Sequence, residues 1–323
     1  MVTDVTIRLA RRDRPDADNF CRLFNALYNR HVDPAYVAWQ FFETPFPTLL
    51  FLAETGAGEL AGTYGVQIVD VMPDGLPVAW AIDIMVAPQH QGRGVFRQLA
   101  AQAETAAHIH SSAAIVVFAN ARAERAHVNG LGWTRVAQVP ALIASTAGAR
   151  PSGDGWRYRR VAAPDLAAFP FLAAGSPGGG RIAKARTAAF AEWRFLRSPW
   201  YSYEVYVAER GSTPRGLLAL KVFTDPATTT QYGDIVDLLT TDPDDDVVEG
   251  MLNFARGRFA ALGVSTATMW AAHGTVVCDA ASRAGFTPIA REKYFCGRVI
   301  DAHYDGLMDG GRWSLSPADS EEF

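Results

Sequence analysis

The chain has 323 residues, a net charge of −4, 49% apolar residues and 20% charged residues. This composition is ordinary for a folded protein, and the length suggests two domains of about 150 residues each. The mild negative charge argues against a general attraction to nucleic-acid phosphates. Three widely spaced cysteines argue against a disulfide framework or a CxxC metal site.

In chain order, the first half predicts strands mixed with helices. We expect strands near 5–11, 49–54, 60–71, 77–86, 113–118 and 134–144. We expect helices at about 15–28, 33–42 and 95–108, and another that begins near residue 121. This order fits a mixed α/β sheet with helices on both faces.

The second half repeats the patterns of the first half in the same order. YVAWQFFETP around Trp39 matches FAEWRFLRSP around Trp193, and AIDIMVAP (81–88) answers DIVDLLTTDP (234–243). Four further matches keep nearly the same offset: 5–16 with 156–165, 51–62 with 205–216, 115–120 with 267–273, and 132–133 with 285–286. We therefore expect two copies of one domain, at 1–146 and 156–303. The Gly/Pro/Ser-rich stretch 147–155 is their expected linker, and 304–323 is an expected tail that packs over a domain or frays.

One loop in the first copy carries a chemical signal. The segment 82–100 predicts a strand, a glycine-rich loop and an amphipathic helix. Gly92 and Gly94 permit a close approach of the backbone to an anion, and Arg93 adds positive charge. The helix from Val95 has free N–H groups and the positive end of its dipole at this point, which suits a diphosphate. The loop has neither the GK[ST] ending of a Walker motif nor GxGxxG spacing.

These residues resemble a known family. Gln89-x-x-Gly92-x-Gly94 resembles motif A of the GNAT acetyltransferase superfamily, and Asn120 with Gly132-Trp133 resembles its motif B. The two Trp segments and the ending GRWSLSPADS resemble a subgroup of tandem GNAT proteins, some of which occur in sugar biosynthesis. The resemblance implies an α/β fold of two tandem GNAT-like domains, each a mixed, mostly antiparallel sheet flanked by helices.

The resemblance also implies a binding mode for acetyl-CoA or another acyl-CoA. The pantetheine arm would enter a gap between two splayed strands, with main-chain groups of Met85 and Val86 at the thioester. The residues that would line the diphosphate are Gln91, Gly92, Arg93, Gly94, Val95 and Phe96. Asn120 would hydrogen-bond the pantetheine arm, or it caps a strand end. The acyl group would pass directly to an amine, without a covalent enzyme intermediate.

The second copy lacks this loop. Its aligned segment contains Asp242, Asp244, Asp245, Asp246 and Glu249, and carboxylates there would repel a diphosphate by several kcal/mol, as an order of magnitude. We therefore expect only the first copy to bind CoA. The second copy would shape the acceptor pocket or stabilise its neighbour.

Direct acyl transfer requires a base for the attacking amine and an acid for the leaving thiolate. Asp83 lies three residues before Val86 and is the candidate base, although it would equally cap a bulge or pair with an arginine. His127 follows Asn120 by seven residues and is the candidate acid, or a helix histidine without a catalytic role. Tyr64 and Trp80 flank the expected cleft and would contact the acceptor, or they belong to the core.

The leading hypothesis is a cytoplasmic N-acyltransferase that moves acetyl, or a slightly longer acyl group, from CoA to a small-molecule amine such as an amino sugar. The alternative is a non-catalytic acyl-CoA-binding or interaction module. A third hypothesis is a tRNA-dependent aminoacyltransferase. The intact glycine-rich loop and the acidic net charge argue against it, since a protein that binds tRNA should show a basic stripe. We expect no nucleic-acid partner, membrane partner or metal, and a monomer or homodimer. The seven histidines form no HxxxH or HExxH pattern, and no apolar run approaches the roughly 18 residues of a membrane span.

Overall fold

The computed structural model describes residues 5–28, 31–149, 155–169, 172, 181–240 and 245–320. One sheet of 13 strands runs through this part of the chain. Its order is β1-β2-β3-β4-β5-β13-β6-β12-β11-β10-β9-β7, and the short β8 pairs with β3. Neighbouring strands in the order are antiparallel, except that β4 and β5, and likewise β11 and β12, run parallel.

The first half forms the elements expected from its pattern. Its strands are β1 (Val5–Leu9), β2 (Thr48–Thr55), β3 (Leu60–Met72), β4 (Leu76–Val86), β5 (Ala114–Ala119) and β6 (Thr134–Ser145). Its helices are α1 (Arg14–Leu27), α2 (Pro34–Val37), α3 (Val95–Ile109) and α4 (Ala121–Leu131). A π-helical turn at Ala38–Phe42 continues α2 and carries Trp39. Each predicted element of this half is present, with boundaries that differ by one or two residues.

The second half repeats this arrangement. Its strands are β7 (Trp156–Arg160), β8 (Ala183–Lys184), β9 (Tyr203–Arg210), β10 (Thr213–Thr224), β11 (Gln231–Thr240), β12 (Thr266–Trp270) and β13 (Thr287–Val299). Its helices are α5 (Ala163–Leu166), α6 (Ala188–Ala191), α7 (Asp245–Ala261) and α8 (Val276–Arg283), and a π-helical turn follows α6 at Glu192–Leu196. Most of the expected linker and the start of the acidic segment, 150–154 and 241–244, lie outside the described residues.

The two halves exchange their last strands. β13 pairs antiparallel with β5 of the first half, and β6 pairs antiparallel with β12 of the second half. The two exchanged strands also pair with each other. One continuous sheet therefore joins the halves, and each half supplies a strand that the other needs to cover an open edge.

Two tryptophans mark an approximate twofold axis between the halves. The Trp39 indole N–H donates to the main-chain oxygen of Trp193, and Trp193 returns the same bond to Trp39, both at 2.9 Å. The rings stack with centroids 4.9 Å apart. The two residues are 154 positions apart. The same separation relates Gly62 to Gly216, where an added Cβ would meet the main-chain oxygen of Met85 or Leu239 respectively.

Apolar side chains form one shared core and two smaller ones. The shared core lies on the sheet face covered by α1 and the π-helical turns, and it includes residues of both halves. The smaller cores lie under α3 and α4 in the first half and under α7 and α8 in the second. The tail packs rather than frays: Trp313 is fully buried against Trp80 and Phe295 in the shared core.

Candidate active site

Strands β4 and β5 separate in the middle of the first half. Their parallel pairing covers Ala79 with Ile115 to Ala81 with Val117, and no pair follows. Beyond this point β4 carries a bulge, because Tyr64 of β3 faces two residues, Asp83 and Ile84. Asp83 has a positive φ of 46°, an uncommon conformation for a residue with a side chain. The separation and the bulge place backbone groups of β4 beside a gap in the sheet.

The carboxylate of Asp83 is buried among neutral groups. Tyr36 donates its hydroxyl to both carboxylate oxygens at 3.2 Å, and the Gln40 amide donates to Oδ2 at 3.2 Å. The side chain lies on the face of the sheet that carries the shared core. Burial raises the pKa of Asp83 to about 7, although the two hydrogen bonds oppose the shift. Asp83 therefore exchanges a proton near neutral pH, as a general base does.

The sequence predicts Asp83 as the base but does not indicate its partners, Tyr36 and Gln40. Both lie in the repeated segment around Trp39, which the sequence marks only as part of the duplication and of the family resemblance. The available signal was their spacing: positions 36 and 40 are one helical turn apart, so they face the same side.

The glycine-rich loop has the backbone geometry expected from its sequence. Gly92 and Gly94 have φ values of 72° and 83°. Gly94 is the N-cap of α3, and no side chain caps this end of the helix. A Cβ on Gly92 would have no heavy atom within 4 Å, so the space outside the loop is open. The first N–H groups of α3 are thus available to an anion, and Val95 anchors the helix because its side chain is buried.

The side chain of Gln91 spans the mouth of the gap. Its amide donates to the Val86 main-chain oxygen at 3.0 Å. Its carbonyl accepts from Arg122, which follows β5. Arg93 is exposed, Phe96 is half-buried, and Met85 is buried in the shared core. The residues predicted to bind acyl-CoA, except Asn120, therefore lie on one continuous segment that begins at the end of β4.

Asn120 acts as a helix cap in this structure. Its side-chain oxygen accepts from the main-chain N–H groups of Arg122 at 3.0 Å and Ala123 at 2.9 Å. It is exposed where β5 ends and α4 begins. The capping alternative that the sequence allowed is thus present, and a pantetheine contact would compete with these two bonds.

His127 is fully buried on the other face of the sheet. Its Nδ1 lies 2.7 Å from the Ala123 main-chain oxygen, so Nδ1 carries the proton and Nε2 accepts from the Tyr64 hydroxyl at 3.4 Å. Burial lowers the pKa of His127 and keeps the ring neutral. Its ring packs against Phe96 and Trp133. The structure therefore does not bring His127 and Asp83 to the same side of β4.

The two aromatic residues proposed to contact the acceptor are core residues here. Tyr64 is 0% exposed and lies under α3, and burial raises the pKa of its hydroxyl. Trp80 is 1% exposed and packs against Phe118, Phe295 and Trp313. Neither ring borders open space in this conformation.

The second half has an aspartate at the position equivalent to Asp83. Asp237 lies in β11 and forms a buried ion pair with Arg186, at 2.7 Å between Nε and Oδ2. Arg186 also pairs with Asp319 of the tail at 2.8 Å. Ser316 donates to Asp237 at 2.7 Å. The Asp237 carboxylate is thus paired with a buried guanidinium and contacts the tail.

The tail also occupies the region where β11 and β12 separate. Their parallel pairing covers only two residue pairs and ends at Asp234 and Thr268. The small cavity beyond this point is lined by β11 and β12 and by the tail segment 314–317. The gap that lies open to the loop in the first half is therefore covered by the chain's own tail in the second.

Among the described residues, no three His, Cys, Asp or Glu side chains are grouped to hold a metal ion. No helix in the same part of the chain is long and apolar enough to cross a membrane.

Comparison with known proteins gave one family match. Residues 17–133 match the model of the acetyltransferase (GNAT) family. This segment runs from α1 to the residue before β6, and it includes Asp83 and the glycine-rich loop. None of the curated protein sequences compared with the chain matches it significantly.

Several solved structures share the fold across most of the chain. A GCN5-related N-acetyltransferase from Anabaena variabilis ATCC 29413 has a TM-score of 0.65 and 12% identity, covering 92% of this chain and 73% of that one. One from Kribbella flavida has a TM-score of 0.63 and 16% identity, covering 92% and 72%. The glucosamine N-acetyltransferase region of a fungal GH3 β-N-acetylglucosaminidase has a TM-score of 0.66 and 14% identity, and this chain spans 38% of that protein. At these identities the likeness concerns the fold.

Proposed function

Because the chain belongs to the GNAT superfamily through residues 17–133 and is an acyltransferase, we propose that its first half moves an acyl group from acyl-CoA directly to the amine of a small molecule. Asp83 is the proposed general base. The donor binds at the gap between β4 and β5, with its diphosphate on the glycine-rich loop.

The environment of Asp83 carries this proposal. A general base that takes a proton from an ammonium ion works best when its pKa lies near the working pH. Asp83 has neutral hydrogen-bond partners, and burial raises its pKa to about 7. Its equivalent Asp237 is paired with Arg186 and covered by the tail, which makes it a poor base. This contrast supports assigning the reaction to the first half.

The residues of the glycine-rich loop fit a diphosphate. Gly92 and Gly94 supply positive φ angles, the start of α3 has no side-chain cap, and the space outside the loop is open. Bound acyl-CoA would supply the activated acyl group. Gln91 and Arg93 are the polar side chains of the loop that could reach a bound diphosphate. Gln91 would have to release the Val86 main-chain oxygen to let the pantetheine arm pass.

Tyr36 and Gln40 have a positioning role in this scheme. Their two hydrogen bonds fix the carboxylate on the face of the sheet that carries the shared core. A proton leaving the acceptor ammonium would pass to Asp83, and the neutral amine would then attack the acyl carbon. The C–S bond would break, and CoA would leave as its thiol after its thiolate takes up the second proton lost by the nitrogen. The Asp83 main-chain oxygen accepts from Thr63 Oγ1 at 2.8 Å, which holds the bulge in place.

The acceptor would enter between the two halves. A cavity of about 10 Å³, room for one water molecule, is lined by Gln40, Ile82, Trp193 and Arg194 and by tail residues to Ser320. An acceptor would therefore have to displace side chains at this point. We propose acetyl as the acyl group and an amino sugar as one candidate acceptor. The proposal of an amino-sugar acceptor is supported by the fold that this chain shares with a glucosamine N-acetyltransferase region.

An amine panel tests the proposal. The full chain is incubated with acetyl-CoA and amino sugars, amino acids or polyamines, and the release of free thiol is measured. Asp83→Asn should lower turnover by about 100-fold or more, while calorimetry shows unchanged binding of CoA. Asp70→Asn, which replaces an exposed carboxylate on the neighbouring β3, is the matched control and should retain turnover. If CoA binds but the parent chain acylates no amine, the non-catalytic binding module is the better description.

A further inference from the structure

A cavity of about 180 Å³ lies on the second half, away from the gap between β4 and β5. Strands β6, β10, β11, β12 and β13 contribute its lining. An added Cβ on Gly233 would collide with Phe259 of α7, so its neighbour Asp234 points to the opposite face of the sheet. The cavity is therefore on the face that carries the shared core, not on the face covered by α7.

The corresponding space in the first half is filled. Asp234 lies 154 positions after Trp80, the separation that relates Trp193 to Trp39. The Trp80 ring packs against Phe295 at 5.5 Å and Trp313 at 6.1 Å between centroids. A small carboxylate replaces this indole in the second half, which leaves the space open.

The charged groups at the base of the cavity neutralise each other. Lys221 Nζ lies 3.4 Å from Asp234 Oδ2, and both side chains are buried. Thr268 donates its hydroxyl to the other oxygen of Asp234. The Lys221 ammonium also lies 3.8 Å from the centre of the Tyr201 ring. These groups form a polar floor of the cavity that carries no net charge.

The mouth of the cavity holds an arginine with no ion pair or hydrogen bond to any residue of the described ranges. Arg291 is exposed on a bulged segment, since β13 leaves its register with β6 between Pro288 and Glu292. Asp225 also borders the cavity, but its Oδ1 already accepts from the main-chain N–H of Ala227 at 2.8 Å and of Thr228 at 3.3 Å. The formal charges of Arg291 and Asp225 therefore balance, and what the mouth offers a ligand is the set of Arg291 guanidinium N–H donors, which have no partner within the described ranges.

Apolar surface completes the lining. The rings of Phe223, Tyr232 and Trp270 border the cavity, together with Ile289, which is 36% exposed. Rings of this kind pack against planar or apolar ligands. The volume is below the roughly 300–1,000 Å³ of pockets that take drug-sized molecules, so the cavity suits one or two rings.

We propose that this cavity binds a small organic carboxylate with an aromatic or apolar body. The carboxylate would accept from the planar guanidinium of Arg291, which presents paired donors to such a group. The body would lie against Trp270 and Phe223. The site is separate from the proposed acyl transfer, and it gives the second half a ligand of its own.

Three indole compounds of nearly equal size test the charge preference. Indole-3-acetate is an anion, indole-3-acetamide is its neutral isostere and tryptamine is a cation. Calorimetric titration of the full chain should show that indole-3-acetate binds at least about tenfold more tightly than the other two. Arg291→Gln should reduce this preference to about twofold or less. Ile289→Glu adds a negative charge at the exposed mouth, so this variant should bind indole-3-acetate more weakly than the parent chain does.

Arg210→Gln is the matched control, because Arg210 is an exposed arginine of the same half that stacks on Trp156 outside the cavity. It should leave the titration unchanged, and thermal melting of each variant establishes that it is folded. Equal binding of the three compounds would overturn the proposal. So would no binding of indole-3-acetate at about 1 mM, or binding that persists in both Arg291→Gln and Ile289→Glu.

Discussion

Asp237 lies 154 residues after Asp83, the separation that relates Trp193 to Trp39, yet the two carboxylates have opposite surroundings. Asp237 is ion-paired with Arg186, whereas within the described ranges Asp83 accepts side-chain hydrogen bonds from the neutral Tyr36 and Gln40. One position of the duplicated domain therefore holds an ion-paired carboxylate in one half and a carboxyl group among neutral partners in the other.

This difference predicts unequal costs of removing the charge. Asp237→Asn should lower the free energy of unfolding by about 3 kcal/mol or more, because Arg186 is buried and loses a partner. Asp83→Asn should change it by less than about 1 kcal/mol near pH 6, since the protonated acid and the amide are nearly isosteric. Urea unfolding measures both values. A larger loss for Asp83→Asn would contradict the assigned environments.

The pKa of Asp83 also predicts a pH dependence of stability. It is raised from 3.8 to about 7, so between these values the folded state holds a proton that the unfolded state has lost. The contribution of Asp83 is therefore greatest at low pH, and it falls as the pH rises through 7. Between about pH 5 and about pH 8, the parent should lose about 2–3 kcal/mol relative to Asp83→Asn. Parallel urea titrations would show it, and a constant difference would contradict a raised pKa.

The same group predicts the pH profile of turnover. A general base must be ionised to act, so kcat should rise with pH through about 7 and level off above it. Tyr36→Phe removes one hydrogen bond to the charged form, which should move the midpoint upward. A midpoint near 4 in the parent enzyme would contradict the raised pKa of Asp83, and an unchanged profile in Asp83→Asn would exclude this residue as the base.

Local features of the fold and site could be predicted from the sequence, but the contacts across the halves could not. Periodicity located the strands and helices of the first half, and the positive-φ glycines located the loop. The exchange of β6 and β13 was not visible, because strand pairing depends on partners more than 100 residues away and both strands have similar apolar patterns. Likewise, the match of 81–88 with 234–243 joins segments of unequal length and leaves the counterpart of Asp83 open, whereas the equivalence of Gly62 and Gly216 places it opposite Asp237.

Gly92 gives a test of donor binding that does not depend on the acceptor. Gly92→Ala places a Cβ in open space but forces a residue with a side chain to adopt a φ of 72°. The strain should cost about 1 kcal/mol, and the altered loop should weaken CoA binding by about tenfold or more. Gly58→Ala is the matched control, since Gly58 has a φ of 79° in the turn between β2 and β3. It should lose similar stability and keep its affinity for CoA in calorimetry.

His127 can be assigned by separating stability from turnover. Its ring bonds the Ala123 main-chain oxygen and the Tyr64 hydroxyl in a buried site. His127→Gln should therefore lower the free energy of unfolding by about 1–3 kcal/mol and leave kcat within about threefold. A loss of kcat of about 100-fold with an unchanged melting temperature would instead support the acid role predicted from the sequence.

The exchanged strands predict that neither half is stable alone. A fragment of residues 1–149 lacks β13, which leaves the buried edge of β5 unpaired, and a fragment of residues 155–323 lacks β6 beside β12. Exposed edges of this kind promote aggregation, and the separated halves would also expose Trp39 and Trp193. Each fragment expressed alone should therefore aggregate or remain unfolded by circular dichroism. When the two fragments are co-expressed, they should elute as a 1:1 complex in size-exclusion chromatography. Two independently folded, monomeric fragments would show that the exchange is not required for either half.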